Sequence, residues 1–112
     1  MTPDRFRALA LELPDTDEGE HMDHPDFRVR KKIFATLGPD GDWGMVRLTP
    51  DQQESFLHAE PEVFRKANGA WGARGATIVT LRRATVTAVR QALELAWGNT
   101  APPSLVREHF GG

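Results

Sequence analysis

Between His24 and Leu48 the apolar residues recur at every second position, and the segments that carry them are joined by connections too short for a crossover. In HPDFRVRKKIFATL, Phe27 and Val29 alternate with Arg28 and Arg30, and a tight turn at Arg30 to Lys32 leads into a second strand, IFATL. A period of two sends successive side chains to opposite faces of a sheet. Phe27 and Val29 are therefore assigned to the core, and Arg28 and Arg30 to the outside. GPDGDWG supplies turn chemistry, after which GMVRL places Val46 and Leu48 on one face and Met45 and Arg47 on the other. Parallel strands need crossovers of a dozen or more residues, so these three segments are predicted to pair as an antiparallel meander.

Helical signals flank the meander. TPDRFRALALELP begins with Thr2 as N-cap, Pro3 at the first helical position and Asp4 at the positive end of the helix dipole. Phe6, Leu9, Ala10 and Leu13 form one apolar stripe, and Pro14 ends the helix. The acidic DTDEGE that follows reads as a loop. TPDQQESFLHAEP repeats the start signal, with Thr49 and Gln52 forming a capping box and Pro61 as the stop. VFRKANGAWGARG reads as a glycine-rich connection whose Phe64 and Trp71 fold back onto the core, and ATIVTLR as a further strand. A closing helix is predicted over Thr85 to Trp97 with Gly98 as its cap, followed by a final turn from Ser104 through Phe110.

A chain of 112 residues can bury one core and not two, so a single domain over 1–112 is expected. With no cysteine it has no disulfide, thiolate metal site or cysteine nucleophile. The apolar pattern of the N-terminus is helical and interrupted by charge, unlike a signal peptide, and no run is long enough to span a membrane. A cytoplasmic location is the default expectation, with a monomer as the default state. The net charge of −2 hides an asymmetry: residues 1–26 hold eight acids against two bases, and the rest holds 12 bases against eight acids.

Taken in order, the first helix, HPDFRVRKKIFATL, the TPDQ helix start, AWGARGATIVTL and the final AWGNTAPPSL resemble the YjbR/MmcQ-like family of small bacterial domains. The resemblance covers nearly the whole chain. It implies an α+β fold of the frataxin (CyaY)-like type, an antiparallel sheet with the N- and C-terminal helices packed on one face. It also implies a DNA-binding function through a double-wing arrangement of hairpins, and supplies no catalytic set. Relatives commonly carry a glycine in the turn that is Arg30-Lys31-Lys32 here.

The expected function is accordingly weak, salt-sensitive nucleic-acid binding, non-catalytic and without a cofactor. Arg28, Arg30, Lys31 and Lys32 are predicted to contact phosphates from one wing, and Arg47 and Arg82 to extend the same outward face. Phe34 continues that face from Lys32 by simple alternation, and with Trp43 and Trp71 is a candidate for stacking on bases, although Trp71 and Trp97 are better assigned to the core. A protein-interaction or small-ligand module, with its cleft between the sheet and the Gly69 to Gly75 loop, is the competing expectation. A metal surface among Glu20, His21, Asp23, His24 and Asp26 is disfavoured, because an extended segment points neighbouring ligands to opposite faces, and no metal ligand is assigned. Enzymatic motifs are missing: neither Ser55 nor Ser104 lies in a nucleophile elbow, and the glycines form no phosphate-binding loop.

Overall fold

The computed structural model describes residues 1–111. The chain runs α1 (Pro3–Leu11), β1 (Thr16–His21), β2 (His24–Val29), β3 (Lys32–Leu37), β4 (Trp43–Arg47), α2 (Pro50–Ala59), β5 (Phe64–Lys66), α3 (Gly69–Ala73), β6 (Ala76–Thr80), a 3-10 turn at Leu81–Arg83, α4 (Val86–Thr100) and α5 (Pro103–Phe110). The strands make one antiparallel sheet in the order β1-β2-β3-β4-β6-β5. The fold is α+β, as expected.

One face of the sheet is covered by α1 and α4, which also pack on each other. Phe27, Ala35, Leu37, Val46, Val79 and Phe64 point into this layer, where they meet Phe6, Leu9 and Ala10 of α1 and Val89, Ala92, Leu93, Ala96 and Trp97 of α4. The Trp97 indole nitrogen donates to the Pro14 carbonyl at 2.9 Å, which satisfies the one polar atom of that buried ring. Both predicted N-caps form. Thr2 accepts from the Arg5 amide, and Thr49 and Gln52 complete the reciprocal capping box.

Several expectations are corrected. The acidic segment read as a loop contains β1, an edge strand paired with β2 from Thr16↔Val29 to His21↔His24. With no large apolar residue it carries no period-two hydrophobic signal, and pairing rather than burial places it. The glycine-rich connection contains β5 and the short α3. Gly98 does not cap the closing helix but lies inside α4, which runs on to Thr100 before Pro102, and the final turn is a two-turn helix, α5. Arg82 is not on a strand but in the 3-10 turn that follows β6.

The alternation also slips by one residue in β3. Phe27 pairs with Ala35 but Arg28 pairs with Ile33, so Phe34 is the extra residue of a β-bulge. Both Phe34 and Ala35 are fully buried, and Phe34 cannot stack on an external base.

Candidate ligand-binding groove

The six predicted basic residues do not form one surface. Arg28 lies on the outward face, where its Nε and Nη2 donate to the two carboxylate oxygens of Asp26 at 2.7 and 3.0 Å. Arg30 donates through Nε and Nη2 to Asp15 Oδ2 at 3.0 and 2.9 Å. Lys31 and Lys32 are exposed at the β2–β3 turn, with no carboxylate at ion-pair distance among the described residues. Lys32 pairs with Val29, so its side chain does not share the outward face with Arg28. Arg47 does face outward, across β3 from Arg28. Arg82 sits at the other end of the sheet: Trp43 and Thr80 pair there, and the Leu81 amide donates to the Asp42 carbonyl. The predicted row of six is therefore one hairpin tip, two neutralised arginines, one groove arginine and one distant residue.

What the outward face does assemble is a groove of about 290 Å³. Its floor is Ile33, Thr36, Met45 and Ile78, the residues that alternate with the core positions of β3, β4 and β6. One wall is the β1–β2 hairpin, with His21, Met22 and His24, backed by Trp43, whose ring centroid lies 5.7 Å from that of His24. The opposite wall is Ala67, Asn68 and Trp71. Trp71 is 60% exposed, contrary to its assignment to the core. The Arg47 guanidinium lies over its ring, 5.5 Å from the centroid.

Trp71 is held in place from beneath. Gln53 of α2 is buried, and its amide nitrogen donates to the carbonyls of Gly72 and Ala76 at 3.0 Å each and to Thr77 Oγ1 at 3.2 Å, tying α3 to β6. Gly72 is required by close approach, since a Cβ there would lie 1.8 Å from the Ala67 carbonyl oxygen. The glycine-rich connection is thus a fixed platform for one tryptophan.

The other wall is held by Asp26, which is fully buried yet charged. The Arg28 guanidinium holds its carboxyl below the ordinary value of 3.8; burial opposes this, and a hydrogen bond from His21 adds to the lowering. Asp26 reciprocally raises the pKa of Arg28. His21 Nδ1 is 2.7 Å from Asp26 Oδ2 and donates to it, because an ionised carboxylate can only accept. His24 Nδ1 likewise donates to the Met22 carbonyl at 2.9 Å, leaving Nε2 without that partner. Gly19, opposite Asp26 in the register, leaves room for this cluster: a Cβ there would lie 2.9 Å from Asp26 Oδ1.

Thr36 completes the floor. It is 4% exposed, and its hydroxyl oxygen has no hydrogen-bond partner among the described residues. Of the groove and its supports, the sequence pointed to Arg47 and Trp43 as surface chemistry, placed Trp71 in the core, and missed Asp26 as a buried anion, Thr36 and Gln53. A signal for Asp26 did exist, because alternation puts it on one face with Arg28. Among the described residues, no group of three or more His, Asp or Glu side chains is placed to hold a metal ion. No helix of the described chain is long and apolar enough to cross a membrane.

The YjbR family model matches residues 11–99, which takes in the whole sheet and most of α4. The chain belongs to the YjbR family. The crystal structure of Deinococcus radiodurans protein DR2400, which carries the domain DUF419, is similar to it with a TM-score of 0.77, covering 98% of this chain and 88% of that one. At 18% identity the likeness to DR2400 is one of fold. No curated protein matches the chain. In this YjbR domain the groove is built from the family-matched segment alone, since every residue lining it falls between His21 and Ile78.

Proposed function

We propose that this YjbR-family chain is a non-catalytic binding module whose working surface is the groove on the outward sheet face, and that its ligand is a small molecule. The observation that carries the reading is Trp71: a large aromatic ring, propped by Gln53 and overlain by Arg47, stands exposed across an apolar floor from the His24–Trp43 pair. Exposing an indole forfeits roughly 2 kcal/mol or more of burial. A concave apolar site with few convergent polar groups is the usual form of a small-ligand pocket. Chemical-shift mapping with a panel of aromatic and aliphatic fragments tests it. Fragments that bind are expected to move the signals of Ile33, Met45, Ile78 and the Trp71 indole, and Trp71→Ala to abolish those shifts. A panel whose binders cluster elsewhere would refute the reading.

DNA binding by a wing, the function the family resemblance implies, is supported by a separate observation. Lys31 and Lys32 project from the β2–β3 tip without acidic partners among the described residues. With Arg28 and Arg30 engaged by Asp26 and Asp15, that tip offers two free charges rather than four, so duplex binding through it is weak. Its test is the salt dependence described in the Discussion.

A further inference from the structure

Four features of the groove narrow what it accepts. At about 290 Å³ it lies at the small end of ligand sites, with room for a system of about two fused rings. Its floor and walls are apolar and aromatic, with Met45 and Ile78 beneath and Trp71 and Trp43 at the sides. Arg47 is the one arginine or lysine that lines it and has no carboxylate at ion-pair distance among the described residues; of the other outward guanidinium groups, Arg28 is spent on Asp26 and Arg65, beyond Ile78 on β5, donates to Thr80 Oγ1. The Thr36 hydroxyl beneath the floor has no hydrogen-bond partner among the described residues and is buried, so the floor presents no polar group to a ligand there.

Charge argues against a polyanion. Asp17 pairs with Arg28 on the outward face and Asp23 lies in the turn of the β1–β2 hairpin that walls the groove, so a nucleic acid strand leaving it past that wall would meet carboxylates. One negative group, directed to Arg47, is what the site balances. Flat rings suit the remaining surface, because stacking and edge contacts with indole and imidazole favour planar partners over saturated ones of equal size.

From this we infer that the groove binds a planar aromatic acid, its ring system against Trp71 and on the Met45–Ile78 floor and its carboxylate on Arg47. The inference rests on the groove being the working surface, and the experiment separates the two. Three probes of similar size, 2-naphthoate, the neutral 2-naphthamide and the saturated decalin-2-carboxylate, are titrated into the intact chain with groove methyl and indole signals as the readout. The expected result is that 2-naphthoate binds at least tenfold more tightly than either of the others. Arg47→Met, which keeps a side chain over Trp71 but removes the charge, should bring 2-naphthoate and 2-naphthamide to equal affinity. Trp71→Ala should weaken both aromatic probes and leave the decalin acid nearly unchanged. Equal binding of acid and amide by the wild type, or of the flat and saturated acids, overturns the aromatic-acid assignment while leaving the groove as a binding site. If no probe moves a groove signal, both the assignment and the groove reading fall.

Discussion

Asp26 and Thr36 are neighbours in the β2–β3 register and are opposite cases of a buried polar side chain. Asp26 is satisfied three times over, by Arg28 Nε, Arg28 Nη2 and His21 Nδ1. Because its folded pKa lies below the unfolded value of 3.8, the folded state binds fewer protons than the unfolded one in that range. Its contribution is therefore complete above the unfolded pKa and is lost as pH falls through the folded one. Asp26→Asn should lower the thermal midpoint at neutral pH and flatten the acid limb of the stability curve below about pH 4, measured by calorimetry across pH 2–7. Thr36, in contrast, buries a hydroxyl that nothing in the described chain meets. Thr36→Val should raise the stability of the unliganded protein by about 1 kcal/mol, a midpoint gain of roughly 4–6 °C, since it replaces an unpaired polar atom by a methyl. A loss of stability instead would show that the hydroxyl is already satisfied. Alternation in the sequence puts Asp26 on one face with Arg28 but does not reveal its burial, and Thr36 reads as an ordinary strand threonine.

Both hairpins flanking β2 turn on residue pairs in the left-handed region: Met22 and Asp23 at φ 48° and 65°, and Arg30 and Lys31 at φ 49° and 71°. Two positive φ values between directly paired strand ends define a type I′ turn, whose twist matches that of the strands and which glycine or asparagine normally fills. A bulky L-residue there costs about 1–2 kcal/mol against the right-handed alternative. Lys31→Gly should therefore stabilise the chain by about 0.5–1 kcal/mol, seen as a higher urea midpoint at unchanged m-value. The turn was legible in the sequence as a turn, because the alternation of Phe27 and Val29 stops at it and restarts beyond. Its type was not, since no residue in Arg30-Lys31-Lys32 announces positive φ. Edge strands were the least legible elements. β1 and β5 are fixed by backbone pairing to β2 and β6, and their side chains carry too little apolar pattern to reveal it. The Phe34 bulge was hidden for a related reason: a single inserted residue leaves the composition of the strand unchanged and moves only the phase.

Across the whole molecule, the acidic N-terminal quarter and the basic remainder are brought together by the fold. β1 lies beside β2, Arg30 meets Asp15 and Arg28 meets Asp26. The core and the α+β class were readable because they depend on periodicity within single segments. A cleft between the sheet and the Gly69 to Gly75 loop was expected, but its lining was not readable, because His24, Trp43, Arg47 and Trp71 come from four stretches whose proximity only the strand order creates. The same folding sets how the chain can meet a polyanion. Each phosphate neutralised contributes about −0.9 to the slope of log affinity against log salt, so a tip offering Lys31 and Lys32 alone should bind duplex DNA with a slope near −1.8. Asp15→Ala frees Arg30 and should steepen it to about −2.7, whereas Lys31→Glu with Lys32→Glu should abolish binding; fluorescence anisotropy from about 25 to 150 mM salt measures all three. A wild-type slope near −3.6 would mean that Arg28 and Arg30 leave their carboxylates for phosphate. In that event Asp15→Ala would change the slope little, because the ion pair it removes would already be broken in the complex.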